Sequence, residues 1–268
     1  MLKGPHRAKL ERIGVSSWSF HTLFERSKDN PTATLMDVRD FPEMIADRYH
    51  VHNVEIVLPH FLGAEPSLVR DFKSRLAKAH SRLVHMPLDY GELWHKPGIS
   101  ATDPTEREHA LALYKKGIDA AAALGCPLVR CDPGEVNLDD PSVTIDSYKQ
   151  LAAYARGKGI KVVVENHYGS TSEHPEALVG ILNAAGVGSL PDFENFPDEE
   201  TRNRGLELLF PIAGGVAHAK TRQGRDFARC MQIARDAGFT GIFSIEAEYG
   251  GDRYVQVQKS VDALMANL

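Results

Sequence analysis

Eight short apolar runs recur along the chain at near-regular intervals, and this pattern restricts the fold more than any other feature. They begin near Arg12 (RIGVSSW), Asn53 (NVEIVLP), Arg82 (RLVHMP), Pro127 (PLVRCD), Ile160 (IKVVVEN), Val187 (VGSLPDF), Ile212 (IAGGVAHAK) and Gly241 (GIFSIEAE). Their mean spacing is about 33 residues, enough for one strand plus one helix. The segments between them carry helix signals. Asp103-Pro104 is a cap followed by proline at the first helical position, and Gly125 closes that helix. Asp140-Pro141 repeats the device, and Tyr148, Leu151, Ala152 and Ala155 then share one helical face. Phe227, Met231 and Ala234 form another face, ending at Gly238, and Tyr254, Val257, Val261 and Leu264 form the last.

Strands buried on both faces and alternating with amphipathic helices imply a parallel sheet. Eight such units predict an α/β fold closed into a (β/α)8 TIM barrel. The rival is an open doubly wound sheet, which would show fewer units and, for a dinucleotide binder, a glycine-rich first turn. The first run leads instead into SSWSFHT. No linker or shift in composition splits the chain, so residues 1–268 read as one domain with 1–11 as an N-terminal extension. The long stretch from Asp89 to Asp103 reads as an active-site lid or loop.

Charge and cysteines narrow the setting. A formal net charge of −5 argues against a nucleic-acid partner. Cys126, Cys131 and Cys230 form no C-x-x-C pair, which points to a reducing, cytoplasmic location without disulfides. The N-terminus lacks the apolar run of a signal peptide, and no segment approaches the ~18 apolar residues of a membrane span.

In an α/β barrel the chemistry sits at the C-terminal ends of the strands. Those ends carry Trp18, Glu55 with His60, His85, Arg130 with Asp132, Glu165 with His167, Asp192 with Asn195, His218 with Lys220, and Glu246 with Glu248. Singly, each is as readily a helix cap or a hydrogen-bonded histidine. Jointly they cannot be buried around one axis without compensation, because each unpaired charge costs several kcal/mol. Glu165, Asp192, His218 and Glu246 are separated by 27, 26 and 28 residues, about one barrel unit each. Three carboxylates and one imidazole suit a hard or borderline cation, with Mn²⁺ foremost and Mg²⁺, Co²⁺ or Zn²⁺ as alternatives. No cysteine is near enough for a structural zinc site.

The motifs VVVENHYG, PDFENF, HAKT and FSIEAE resemble four strand-end motifs of the xylose isomerase-like TIM barrels, in the sugar phosphate isomerase/epimerase branch. The resemblance runs from IGVSSWSF to the last helix. It implies one divalent metal on Glu165, Asp192, His218 and Glu246, with the two glutamates also acting as the acid/base pair. It further implies a substrate contact at His85 and a role for Lys220 in the His-x-Lys motif. Two departures stand out. Asp192-Phe193-Glu194-Asn195 follows Pro191 where the family shows Asp-Thr-Gly-Asn, and Thr221 replaces the aspartate after the lysine. Glu248, on the same strand face as Glu246, is the alternative ligand.

The expected activity is proton transfer next to the carbonyl of a keto-sugar or related polyol, through an enediolate, giving isomerisation or epimerisation. The alternative is a dehydratase or lyase acting on a keto-sugar or inosose. Arg130, His167 and Lys220, with His85 and His60, are expected to bind substrate, and Trp18 and Trp94 to wall the sugar ring. An apurinic-site endonuclease of this fold needs a trinuclear zinc set. Asn195 stands where that set has a histidine, and AKTRQGRDFARC after His218 supplies no second one. A barrel that binds sugar without catalysis is the remaining reading, and the presence of both glutamates weighs against it. A homodimer or homotetramer is implied by resemblance alone.

Overall fold

The structure is a computed structural model describing residues 5–24, 35–61, 65–221, 226–247 and 251–268. Eight parallel strands form its centre: β1 Ile13–Ser16, β2 Asn53–Glu55, β3 Arg82–Pro87, β4 Leu128–Arg130, β5 Lys161–Glu165, β6 Gly188–Leu190, β7 Val216–Ala219 and β8 Ile242–Ile245. Each expected run supplied one strand. Hydrogen-bonded neighbours run β6-β5-β4-β3-β2-β1-β8-β7. The remaining side closes through bridges between Ser189 and Ala213 and between Asp192 and His218. The result is a TIM barrel.

One principal helix follows each strand: Phe41–Tyr49, Pro66–Lys78, Pro104–Leu124, Ser142–Arg156, Pro175–Ala185, Glu199–Leu209, Phe227–Asp236 and Arg253–Asn267. The Asp103 side chain accepts from Glu106 N–H, and Gly125 takes the left-handed conformation that ends the same helix. Ahead of β1, a short helix Pro5–Leu10 reaches the last helix, where Lys9 Nζ donates to Met265 O at 2.8 Å.

The barrel interior has two levels. Leu128, Val163, Leu190 and Val216 form an apolar plug, with Ile242 packed against it. Two residues further along four of those strands stand Arg130, Glu165, Asp192 and His218. Successive strand residues face opposite sides, so positions i and i+2 share the inner face.

The segment 89–103 forms a wall anchored to its neighbours. Ser100 Oγ donates to Pro133 O, Ser147 Oγ to Ile99 O, and Glu135 N to Lys96 O, at 2.7, 2.7 and 3.0 Å. Gly134 makes this contact feasible. Its φ is 78°, and a Cβ there would lie 2.2 Å from Pro97 O.

Candidate active site

Four side chains meet where the upper level opens. One ligand-type atom from each of Glu165, Asp192, His218 and Glu246 lies within 4.8 Å of the others, and all four residues are buried. His218 Nδ1 lies 3.1 Å from Glu165 Oε1, 3.5 Å from Glu246 Oε1 and 3.6 Å from Asp192 Oδ2. Burial alone disfavours a charged imidazole. The carboxylates of Glu246, Glu55 and Glu165 nevertheless hold His218 well above the ordinary histidine range.

Asp192 reaches this cluster despite Pro191. β6 ends at Leu190, so the missing proline N–H interrupts no ladder, and Pro191 O accepts from His218 N at 2.9 Å. The Asn166 amide then acts as a neighbouring strand. It accepts from Asp192 N at 2.9 Å and donates to Asp192 O at 3.1 Å. Asn166 therefore faces away from the cluster, as strand alternation predicts. Asp192 Oδ1 accepts from Glu194 N and Asn195 N. Oδ2 is left beside Lys220 Nζ at 2.7 Å, without regular hydrogen-bond geometry.

Two cations brace the glutamates. Arg130, 4% exposed, donates to Glu165 Oε2 and Asp89 Oδ1 and lies 3.3 Å from Asp132. Burial raises the Glu165 carboxyl, but Arg130 and His218 override it and hold Glu165 well below the usual carboxylate range. Asn195 Nδ2 donates to Glu165 Oε1 at 3.0 Å. Lys220 Nζ pairs with Glu246 Oε2 at 3.0 Å and donates to Asn195 Oδ1 at 3.2 Å. Burial opposes the charge on Lys220, while Asp192 and Glu246 raise its pKa.

Above the cluster opens a cleft of about 260 Å³, lined by Trp18, Asp89, Trp94, His95, Arg130, His167, Tyr168, Lys220 and Glu246. Five of the residues singled out from sequence as substrate or ring contacts thus share it: Trp18, Trp94, Arg130, His167 and Lys220. His167 Nδ1 lies 3.0 Å from Asp132 Oδ2. Asp89, His95 and Tyr168 are additions; the sequence treats Asp89 only as the start of a loop, and nothing marks the other two.

His60 and His85 do not line the cleft. His60 stands on a turn, Leu58–His60, beyond the end of β2, and is turned inward. Its Nδ1 meets Ser17 Oγ and its Nε2 meets His21 Nδ1, both at 2.9 Å, and it stacks behind Trp18. Both ring nitrogens are engaged within the protein, and the ring backs Trp18 on the wall. Burial, with His21 beside it, lowers its pKa to about 3. His85 is fully buried, with Nδ1 2.8 Å from Glu55 Oε2. Glu248 lies outside the described residues.

The donor set fits a divalent cation. Three carboxylates and one imidazole nitrogen converge within reach of one another, the mixed oxygen and nitrogen set that such an ion takes. Asp192 Oδ2 in particular is a buried acceptor with no hydrogen bond. A family model for the xylose isomerase-like TIM barrel matches residues 46–266. The chain belongs to the xylose isomerase-like TIM barrel family. No curated protein matches it. Among solved structures, it is similar to a D-allulose 3-epimerase from Methylomonas sp., with a TM-score of 0.73, 16% identity, and coverage of 96% of this chain and 98% of that one. A xylose isomerase-like TIM barrel protein from Mycobacterium smegmatis, in complex with magnesium, gives 0.68 and 16%, covering 97% of each chain. The probable 3-DHS dehydratase from Bacillus anthracis gives 0.68 and 11%, covering 94% of this chain and 98% of that one. At these identities the likeness is one of fold. None of the described helices is long and apolar enough to cross a membrane.

Proposed function

We propose that this protein is a divalent-metal-dependent isomerase or epimerase acting on a keto-sugar or related polyol. The observation that carries this reading is the buried Glu165–Asp192–His218–Glu246 cluster at the base of a monosaccharide-sized cleft. These four residues would hold the ion, with Mn²⁺ foremost. Bound there, a divalent ion supplies Lewis acidity that stabilises the charge of an enediolate.

The chain's own groups divide the remaining work. Glu246 lines the cleft and is placed to take the proton next to the carbonyl. Glu165 returns a proton from the other side, its outer oxygen braced by Arg130. Lys220, Arg130 and His167 present N–H groups to hydroxyls, and Trp18 and Trp94 face the ring carbons. The structural likeness to a 3-epimerase agrees with this assignment.

A second reading, loss of water from the same substrate class, is favoured by one contact. Asp132 engages His167 Nδ1, leaving Nε2 as the nitrogen that can hand a proton to a departing hydroxyl. A neighbour described as a probable dehydratase shares the fold.

Incubating five- and six-carbon ketoses with the protein and Mn²⁺ in deuterated water tests both. The expected result is deuterium at the carbon next to the carbonyl together with an epimer or isomer. A dehydrated product selects the second reading, and absence of exchange in all of them overturns both. Glu165→Gln should abolish exchange, and an unchanged rate would remove its assigned role.

A further inference from the structure

Glu55 lies outside the four-residue cluster and the cleft; fully buried, it forms a second close group of ligand-type atoms with His85 and His218 and makes two contacts through one oxygen. Glu55 Oε2 lies 2.8 Å from His85 Nδ1 and 3.2 Å from His218 Nε2. The strand pairing that allows this is irregular. Val54 pairs with Leu83, but Glu55 pairs with His85, so β3 carries one extra residue at this level. Such a bulge re-aims side chains and recurs beside active sites. Here it brings His85 level with Glu55.

We infer that Glu55 is a positioning residue for the metal centre, fixing the ring orientation and tautomer of His218, with His85 locking Glu55 in turn. This rests on the metal reading above. A carboxylate accepts and does not donate, so both nitrogens facing Oε2 carry hydrogens. With the Nε2 hydrogen held by Glu55, Nδ1 is the nitrogen that would give up its proton to ligate a cation. That is the nitrogen facing Glu165, Asp192 and Glu246. A metal-binding imidazole commonly donates its other N–H to a carboxylate, which fixes the tautomer and raises the basicity of the ligating nitrogen. A half-turn of the His218 ring would lose the bond to Glu55 and put the Cδ2–H, in place of Nδ1, against the three carboxylates.

The same reasoning assigns His85. Its hydrogen is on Nδ1, leaving Nε2 as a buried acceptor with no partner among the described residues. His85 therefore acts through Glu55, which accounts for its place below the cleft.

Glu55→Gln tests the inference. Glutamine keeps the shape but offers only one acceptor oxygen and adds an N–H that faces a ring N–H in one of its two orientations. Mn²⁺ binding is followed by calorimetry. The Co²⁺-loaded protein is examined for the hyperfine-shifted, solvent-exchangeable proton of His218 Nε2–H. The wild type should bind Mn²⁺ and show that resonance in slow exchange. Glu55→Gln should bind Mn²⁺ ~10–100-fold more weakly and lose or broaden the resonance, while its metal-free thermal midpoint shows that it is folded. Mn²⁺ affinity within twofold of wild type overturns the inference and leaves the metal reading standing. A wild type that binds no divalent ion overturns both. Should Glu55→Gln fail to fold, His85→Gln replaces it, since it loosens Glu55 without touching a ligand. A several-fold loss of affinity is then expected, and an unchanged affinity overturns the inference.

Discussion

The apolar and charged levels of the barrel interior are made by the same strands. Val163 and Glu165 stand on β5, Val216 and His218 on β7, and Leu128 and Arg130 on β4. Leu190 and Asp192 straddle Pro191 at the end of β6. Two residues of rise, roughly 7 Å, separate a dry plug from a cluster of ionised groups. The lower level stabilises by burial and tolerates no charge. The upper level concentrates charges that water cannot screen and that only one another, or a bound cation, can balance. β8 makes the change one step later: Ile242 packs on the plug, Ser244 lies between, and Glu246 faces the cleft.

The most severe way to break this division is to move a charge down one step. Val163→Asp places an unpaired carboxylate in the plug, and the expected outcome is a loss above about 4 kcal/mol or failure to accumulate folded protein. Soluble yield and thermal unfolding measure it, and a folded variant near wild-type stability would mean the lower level admits water. Leu190→Ala keeps the level apolar but opens a cavity, which should cost about 2–5 kcal/mol in denaturant unfolding. In the upper level the same size of perturbation should move function instead of stability. Asp192→Asn retains the acceptor used by Glu194 and Asn195. It should weaken Mn²⁺ binding by about two orders of magnitude, while metal-free stability shifts by less than about 1 kcal/mol.

Acid sensitivity separates a third region, the support behind Trp18, from both levels. His60 is buried and neutral with a pKa lowered to about 3, whereas an unfolded histidine titrates near about 6.5. Between those values the unfolded chain binds the extra proton, so this contribution is fully present above about pH 6.5 and is lost as pH falls toward 3. Metal-free wild type should therefore lose stability from pH 6.5 to 5 more steeply than His60→Gln, by up to about 1.4 kcal/mol per pH unit. Equal slopes would show that His60 is hydrated. The smallest effect belongs to the intermediate step on β8. Ser244 Oγ is buried without a hydrogen-bond partner among the described residues, so Ser244→Ala should change stability by less than about 1 kcal/mol, in either direction.

Much of this arrangement is legible in the sequence because it obeys a short period. Apolar runs mark the strands, and a polar residue two places beyond an inward apolar one marks the mouth. Glu165, His218 and Arg130 all follow that rule. What escapes it depends on non-local register. The extra residue in β3 that sets His85 against Glu55 leaves no mark in RLVHMP. His60 looks like a strand-end histidine, but β2 ends at Glu55 and the intervening turn swings it inward. Pro191 reads as an interruption, yet the side chain that carries the sheet past it, Asn166, comes from the neighbouring strand. Asp89 reads as loop and becomes the partner of Arg130, 41 residues away.

The anchored wall has a consequence for how a ligand arrives. Trp94 and His95 sit on a segment tied down at Lys96, Ile99 and Ser100. His95 already holds a left-handed backbone, with φ 55°, at a cost of order 1–3 kcal/mol that the neighbouring contacts must offset. That side of the cleft is shaped before any ligand enters. Association then forfeits little chain entropy there.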